Sequence, residues 1–585
     1  MKRVLFLIAL IFLAFPIGLK GQTLKIPAET PSPAILAEEK VFVHYNASLL
    51  YAGEYLYYKI YTLNSETGSL SGLSKVVYLE LVGNDGNAVL KQQVLLENGM
   101  GQGDLFIPTS LPSGNYKIIA YTLWMVNGTD AAFFRGDLVL LNPYQGDQSG
   151  LSSGSLSAAR DNSKSTDAEE VPPSVSDKNI MIDLQDKVVG NREMVTVKLR
   201  NINAERINGN ISVSVRKTER DLDFYRPSSL EIPRSFSNSG RKNLPTDIFL
   251  PELRGSLLIG SLKNPNETSS VSGKALSVYI PGEDHIFKTA LTNEDGIFFI
   301  NLEREYTGDR ILVQVVGEPE DYEINIIGKP DIKHSGLEFT SFELTPQMEQ
   351  RIIERSIHNQ IENAYFGVKP DTIIETISNT QFYGESGILY NLDEFKRFPS
   401  MRETFVEIIA AARIVNTGEG RSEIRVRPPE GSPETEHQPL LVVDGLLVQD
   451  HNLLIEYPVQ RVKSIQIIRK KYFNGPLVFQ GVIAVKTEDG NFHEQRPSPL
   501  VKEFNLLKPQ PEKKYFKQVY DQNTKNNRIP DFRYQLAWIP KLEIKDSDSV
   551  IEFYTSDITG LFEISIEGFQ GNGAPVSIKE YFKVE

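Results

Sequence analysis

The residues best suited to metal binding or proton transfer are seven histidines, at positions 44, 285, 334, 358, 437, 451 and 493. No two of them are three or four residues apart and no H-E-x-x-H occurs, so the spacing of a helical zinc pair is missing. His358 and Glu362 stand one helical turn apart but lack a third ligand. Asp444 closes an apolar run, where a catalytic carboxylate could sit at a strand end. Beside Gly445 it reads instead as a turn residue. No Gly-rich loop is followed by Lys-Ser or Lys-Thr, and there are no cysteines. That removes disulfides, thiolate metal sites, cysteine nucleophiles and N-terminal lipidation. The expectation is a non-enzymatic chain with no catalytic, cofactor or metal residue. A carboxylate-dependent hydrolase stays as an alternative, resting only on the 76 Asp and Glu.

The chain starts Met1-Lys2-Arg3, runs apolar from Val4 to Phe15, and meets Pro16, Gly18 and Gly21 before Gln22. This is the layout of a signal peptide over 1–21, cleaved before Gln22, ahead of a short N-terminal segment over 22–39. The apolar run is too short for a spanning helix, which needs about 20 residues. The reading is an exported protein of a Gram-negative periplasm or outer-membrane surface, since a cysteine-free exported chain suits that compartment. A net charge of −14 with no long basic tract argues against nucleic acid.

At 585 residues several domains are expected, and 24 Tyr and 30 Phe favour strands. The predicted fold class is mostly β: tandem β-sandwich domains plus one small α+β plug-like domain. Over 40–143, short strands alternate with turns such as Asn84-Asp85-Gly86. The runs EKVFVHYNASLLYAGEYLYYKIY, NGMGQGDLFIP (read as a Gly-rich turn) and LPSGNYKIIAYTLWM resemble the second macroglobulin domain (MG2 type) of bacterial α2-macroglobulin-like proteins. GNREMVTVKLRN and GNISVSVRKTE, within 178–250, look like a second such domain with an extended insertion. Between the two, 144–177 is polar and Ser/Gly-rich and reads as a flexible linker. Over 251–330, GSLLIGSLKNP, GKALSVYI and the expected hairpin FKTALTNEDGIFFINL resemble the carboxypeptidase-regulatory-like sandwich, a fold without a zinc site of its own.

A connector over 331–370 carries a helix from Pro346 to Phe366. A second helix is expected from Ser400, capped through Glu403, with Phe405, Ile408, Ile409 and Ala412 on one face. Then PLLVVDGLLVQD and YPVQRVKSIQIIRKKYFNGPLVFQGVIAVKTEDG, within 371–492, are similar to the plug domain of TonB-dependent outer-membrane transporters. The residues that carry this likeness include Val442, Val443, Asp444, Gly445, Ile465, Ile467 and Gly481, all with structural roles. Ile465 and Ile467 are expected on the strand next to Val442 and Val443. A turn at 557–560 marks one more β-sandwich over 493–585, and no transporter barrel has room to follow.

The resemblance to a plug implies an outer-membrane barrel or another envelope protein as partner, with peripheral membrane association left open. No cofactor is implied. The alternative is a protease-binding α2-macroglobulin-like protein, unable to trap covalently because the thioester needs a cysteine. Composition alone generates the first test. Limited proteolysis should cut first between Gln145 and Ser176. N-terminal sequencing of the fragments checks this, and first cleavage elsewhere refutes the linker.

Overall fold

The computed structural model describes residues 38–585, apart from 129–131, 152–173, 179, 202–208, 220–221, 223, 233–248, 266–269, 283–285, 304, 318–321, 328–331, 333, 335, 341, 375–380, 385, 419, 434, 521–527 and 545–548. The chain is mostly strand, with few helices, arranged as three β-sandwiches and one α+β unit. The signal-peptide reading lies outside the described residues. Among those described, no helix is long and apolar enough to cross a membrane.

Sandwich I spans 38–142. Its three-stranded sheet is Glu39–Tyr45, Tyr55–Asn64 and Met100–Phe106, and its five-stranded sheet has Gly114–Tyr121 at the centre. Strand alternation sends Leu56, Tyr58 and Ile60 into the core with Leu79 and Ile118. Met100–Phe106, expected as part of a Gly-rich turn, is a strand. Its glycines are there for packing: a Cβ on Gly103 would lie 2.2 Å from the Tyr58 hydroxyl, and one on Gly101 2.7 Å from Val94.

Sandwich II corrects the domain reading most. The strand Gly209–Lys217 lies between Gln535–Ile544 and Gly560–Gln570, with Val213 opposite both Ile539 and Ile566. Across the core, Met194–Asn201 pairs with Ser549–Tyr554. The segments read as separate domains at 178–250 and 493–585 are therefore two halves of one sandwich around Val197, Val213, Phe562 and Phe582. Each half gives strands to both sheets, and neither completes either inner face alone.

Sandwich III repeats the device one level down. Its four-stranded sheet is completed by Lys502–Asn505, pairing with Arg310–Val315. The boundary at 330 therefore leaves that sheet one strand short. The expected hairpin over 286–302 is a crossover: Ile286–Leu291 lies in one sheet and Ile297–Leu302 in the other, so the turn at Gly296 (φ 76°) joins the layers. Between the end of sandwich III proper and its returning strand sits the α+β unit. Its sheet order is Ile388–Asn391, Val462–Ile468, Val482–Thr487, Leu440–Val443 and Leu446–Leu447. The unit is thus nested inside sandwich III, and both are nested inside sandwich II.

Two helices match their predicted starts. Glu349–Ala364 follows a 3-10 turn at Pro346–Met348, and Met401–Glu407 is capped by Ser400, whose side chain accepts from Glu403 N. The second stops early, so Ala412 belongs to the strand Ala412–Gly418 and not to a helix face. Most of 144–177 lies outside the described residues, but its flanks are packed. Leu151 is buried, and Val175 exchanges two backbone hydrogen bonds with Lys579 at 2.9 and 3.0 Å.

Nesting is testable by truncation. A chain ending at residue 544 removes Ser549–Tyr554 and Gly560–Gln570, the neighbours of Met194–Asn201 and Gly209–Lys217. Hydrogen exchange should show those upstream strands losing protection. Retained protection would mean that those strands hold together without residues 545–585.

Candidate functional site

The plug-motif residues come together in the α+β unit, and most are core. Val442, Val443, Ile465 and Ile467 are buried, and Leu440–Val443 pairs in parallel with Val482–Thr487. Val462–Ile468 lies on the far side of that central strand, one position removed from Val442 and Val443 rather than beside them. Asp444 (φ 49°) and Gly445 (φ 88°) form the two-residue turn into Leu446–Leu447. A Cβ on Gly445 would meet the Tyr279 ring of sandwich III at 2.5 Å, while the Tyr279 hydroxyl donates to the Asp444 carbonyl at 2.6 Å. That turn is a joint between unit and sandwich. Gly481 (φ 81°) opens the central strand, where a Cβ would strike the Ile468 carbonyl at 2.3 Å.

Asp444 does more than turn the chain. Its carboxylate accepts from Thr487 N at 2.8 Å, Thr487 Oγ1 at 2.7 Å and Phe492 N at 3.1 Å. All three are donors, so the group is an acceptor-only clamp on the following segment, with its capacity committed to the fold.

Three of the histidines are similarly employed. His44 Nδ1 is 2.7 Å from Ser212 Oγ across the I–II interface, His334 Nε2 is 2.8 Å from Glu80, and His451 Nδ1 accepts from Ile424 N at 2.8 Å. His358 stacks on Phe532 at 4.3 Å. Among the described residues no three His, Asp or Glu side chains gather as a metal site. His285 lies outside the described residues. A G-x-S-x-G run at 150–154 begins within the 3-10 turn Ser149–Leu151 rather than after a strand, and its Ser152 lies outside the described residues as well.

Sequence reading missed the charged seams between domains. From the helix Glu349–Ala364, Arg355 donates to Glu54 of sandwich I at 2.9 and 2.8 Å and to Glu219 at 2.7 Å, and it lies 4.2 Å over the Tyr51 ring. Arg216 of sandwich II reaches the same Glu54 at 3.2 Å. Burial alone would raise the Glu54 carboxyl; Arg355 and Arg216 outweigh it and hold it below its ordinary value. Nearby, Asp531 takes Arg533 at 2.6 Å, Lys369 at 3.3 Å and the Tyr520 hydroxyl at 2.6 Å. Against the upward push of burial, those partners hold Asp531 at about 2. Both clusters bind elements together and leave no carboxylate free for proton transfer. Nothing in the sequence sets Arg355 apart from the other charges of its helix; its burial appears only in the fold.

Two substitutions separate clamp from simple turn. Ile467→Asp buries an unpaired charge at a position with 0 % exposure, and near-ultraviolet dichroism should show the unit unfolded. Asp444→Asn puts an amide against N–H donors and should cost about 1–3 kcal/mol in chemical denaturation. Wild-type stability would return Asp444 to a replaceable turn residue.

No protein-family model matches the chain, and no curated protein does. Among solved structures, the chain is similar to Salmonella alpha-2-macroglobulin reacted with methylamine, with 10% identity over 94% of this chain and 40% of that one, at a TM-score of 0.23. It is similar to Escherichia coli alpha-2-macroglobulin activated by porcine elastase, with 8% identity over 94% of this chain and 44% of that one, also at 0.23. Dimeric latent PorU from Porphyromonas gingivalis aligns with 50% of this chain and 33% of its own, with 12% identity and a TM-score of 0.16. The chain spans less than half the length of these macroglobulins.

Proposed function

We infer that the chain is a non-enzymatic envelope protein that works by contact, with the α+β unit as the surface offered to an outer-membrane barrel protein. The observation that supports this is the asymmetry of the unit's sheet. At one edge, Leu446–Leu447 is covered by sandwich III, where Gln314 Nε2 donates to the Leu447 carbonyl at 2.8 Å. At the other edge, Ile388–Asn391 pairs on one side only and has no second partner strand among the described residues. It carries Ile388 and Leu389 at 41 % and 63 % exposure, and Phe473 on the nearby hairpin is 67 % exposed. A free edge with apolar side chains is a template for another strand or an apolar partner surface.

The nested connections support the same reading. The unit is tied to sandwich III at both ends of its own chain and again through Tyr279. It is therefore held at a fixed attitude with the open edge outward, which lowers the ordering cost of a contact.

An affinity capture from detergent-solubilised envelope tests this. The wild-type chain should retain a barrel protein, and Leu389→Asp combined with Phe473→Asp should lose it with an unchanged melting temperature, since both side chains are exposed. Equal retention by the variant overturns the assignment of the surface. Recovery of a protease in place of a barrel favours the macroglobulin-type alternative.

A further inference from the structure

A cleft of about 160 Å³ opens where sandwiches I and II meet the helix Glu349–Ala364 and the segment that returns from sandwich III. A group of about benzene's size fits such a space, since an engineered cavity of about 150 Å³ takes one benzene. Aromatic rings form much of the wall. Phe366, Tyr55, Tyr57 and Trp538 follow one another at 6.1, 5.9 and 6.1 Å between ring centres, each plane within 26° of the next. Tyr515, on the return segment, stands edge-on to Tyr57 at 5.1 Å. Phe366 is 45 % exposed, and Tyr55 and Tyr57 are half-buried, so this side of the wall reaches solvent.

Six charged side chains line the same cleft, and five of them are matched. Arg216 holds Glu54 at 3.2 Å, Lys369 holds Glu362 at 2.7 Å, and Arg533 holds Asp531 at 2.6 Å. Asp371 is the sixth. It accepts from Phe516 N at 2.8 Å and has no ion-pair partner among the described residues. The cation that acts on it, Lys513, is ion-paired at 2.8 Å with Asp104, a second carboxylate that adds to the local negative charge. Burial pushes the Asp371 carboxyl up, the Phe516 N–H offsets only part of that, and Asp104 adds to it. Burial also raises the Tyr55 and Tyr57 hydroxyls, and Asp104 and Asp371 raise both further, so the Asp371 charge lies within reach of those two rings.

The unmatched charge decides the ligand. An anion would face Asp371, while every lining cation already holds a carboxylate. A neutral sugar would leave Asp371 as it is. A metal ion needs several oxygen ligands, and no three His, Asp or Glu side chains gather among the described residues. A weakly hydrated organic cation uses both features at once: aromatic rings attract it through their quadrupole, and the carboxylate supplies its counter-charge. We propose that this cleft binds an alkylated ammonium group, with Asp371 as its counter-ion and Tyr55, Tyr57 and Phe366 as its aromatic wall. The site lies away from the α+β unit and does not depend on its role. It draws its residues from both sandwiches, the helix and the return segment, so it is complete only once the nested chain has closed.

Calorimetric titration of the full chain at fixed ionic strength tests the assignment with three probes of similar branched shape: tetramethylammonium, neutral tert-butanol and anionic pivalate. Tetramethylammonium should bind, tert-butanol should be weaker by about tenfold or more, and pivalate weaker still. Asp371→Asn keeps an oxygen for the Phe516 N–H and removes the charge. It should bring tetramethylammonium down to the level of tert-butanol and leave tert-butanol unchanged. No binding of tetramethylammonium, binding of tert-butanol or pivalate as tight as the cation, or wild-type affinity in Asp371→Asn overturns the proposal. The comparison of the three probes on the wild type stands even if Asp371→Asn fails to fold.

Discussion

Everything in the molecule hangs on where one strand finds its partners. Gly209–Lys217 takes Gln535–Ile544 on one side and Gly560–Gln570 on the other, all antiparallel. Once that pairing is made, Lys217 N is hydrogen-bonded to the Tyr534 carbonyl at 2.9 Å, so the chain leaving one strand and the chain entering the next are neighbours. Whatever lies between must leave and return at the same point. Closing so long a loop costs only slowly more entropy than closing a short one, growing as about (3/2)RT ln n. The cost falls chiefly on rate, since non-local pairings slow folding.

A sheet closed over an insertion needs the insertion to be held against it, and the polar seams do that. Arg355 joins a helix of the insertion to Glu54 of sandwich I, and Arg216 joins the strand Gly209–Lys217 to the same carboxylate. Such pairs add little net stability over apolar packing, but losing one member strands the others, at about 3–5 kcal/mol. Their directional bonds fix angle and register where apolar contact alone would tolerate sliding. Aromatic contacts fill the same interface: Tyr57 stacks with Trp538 at 6.1 Å and Tyr61 meets Phe569 at 5.4 Å.

Local chemistry was readable in the sequence, and long-range pairing was not. Turn residues at Gly86, Gly296 and Asp444-Gly445 mark real reversals, because positive φ is a property of single residues. Whether a reversal keeps the chain in one sheet or moves it to the facing one depends on partners elsewhere. That is why the segment over 286–302 looked like a hairpin and crosses between layers. Glycines at 101 and 103 misled in the opposite sense: the sequence pattern suggests a turn, whereas Val94 and Tyr58 require the missing side chains. For the α+β unit, the apolar character of Val442, Val443, Ile465 and Ile467 was legible. The hydrogen bonds gathered by Asp444 were not, since its donors lie 43 and 48 residues onward.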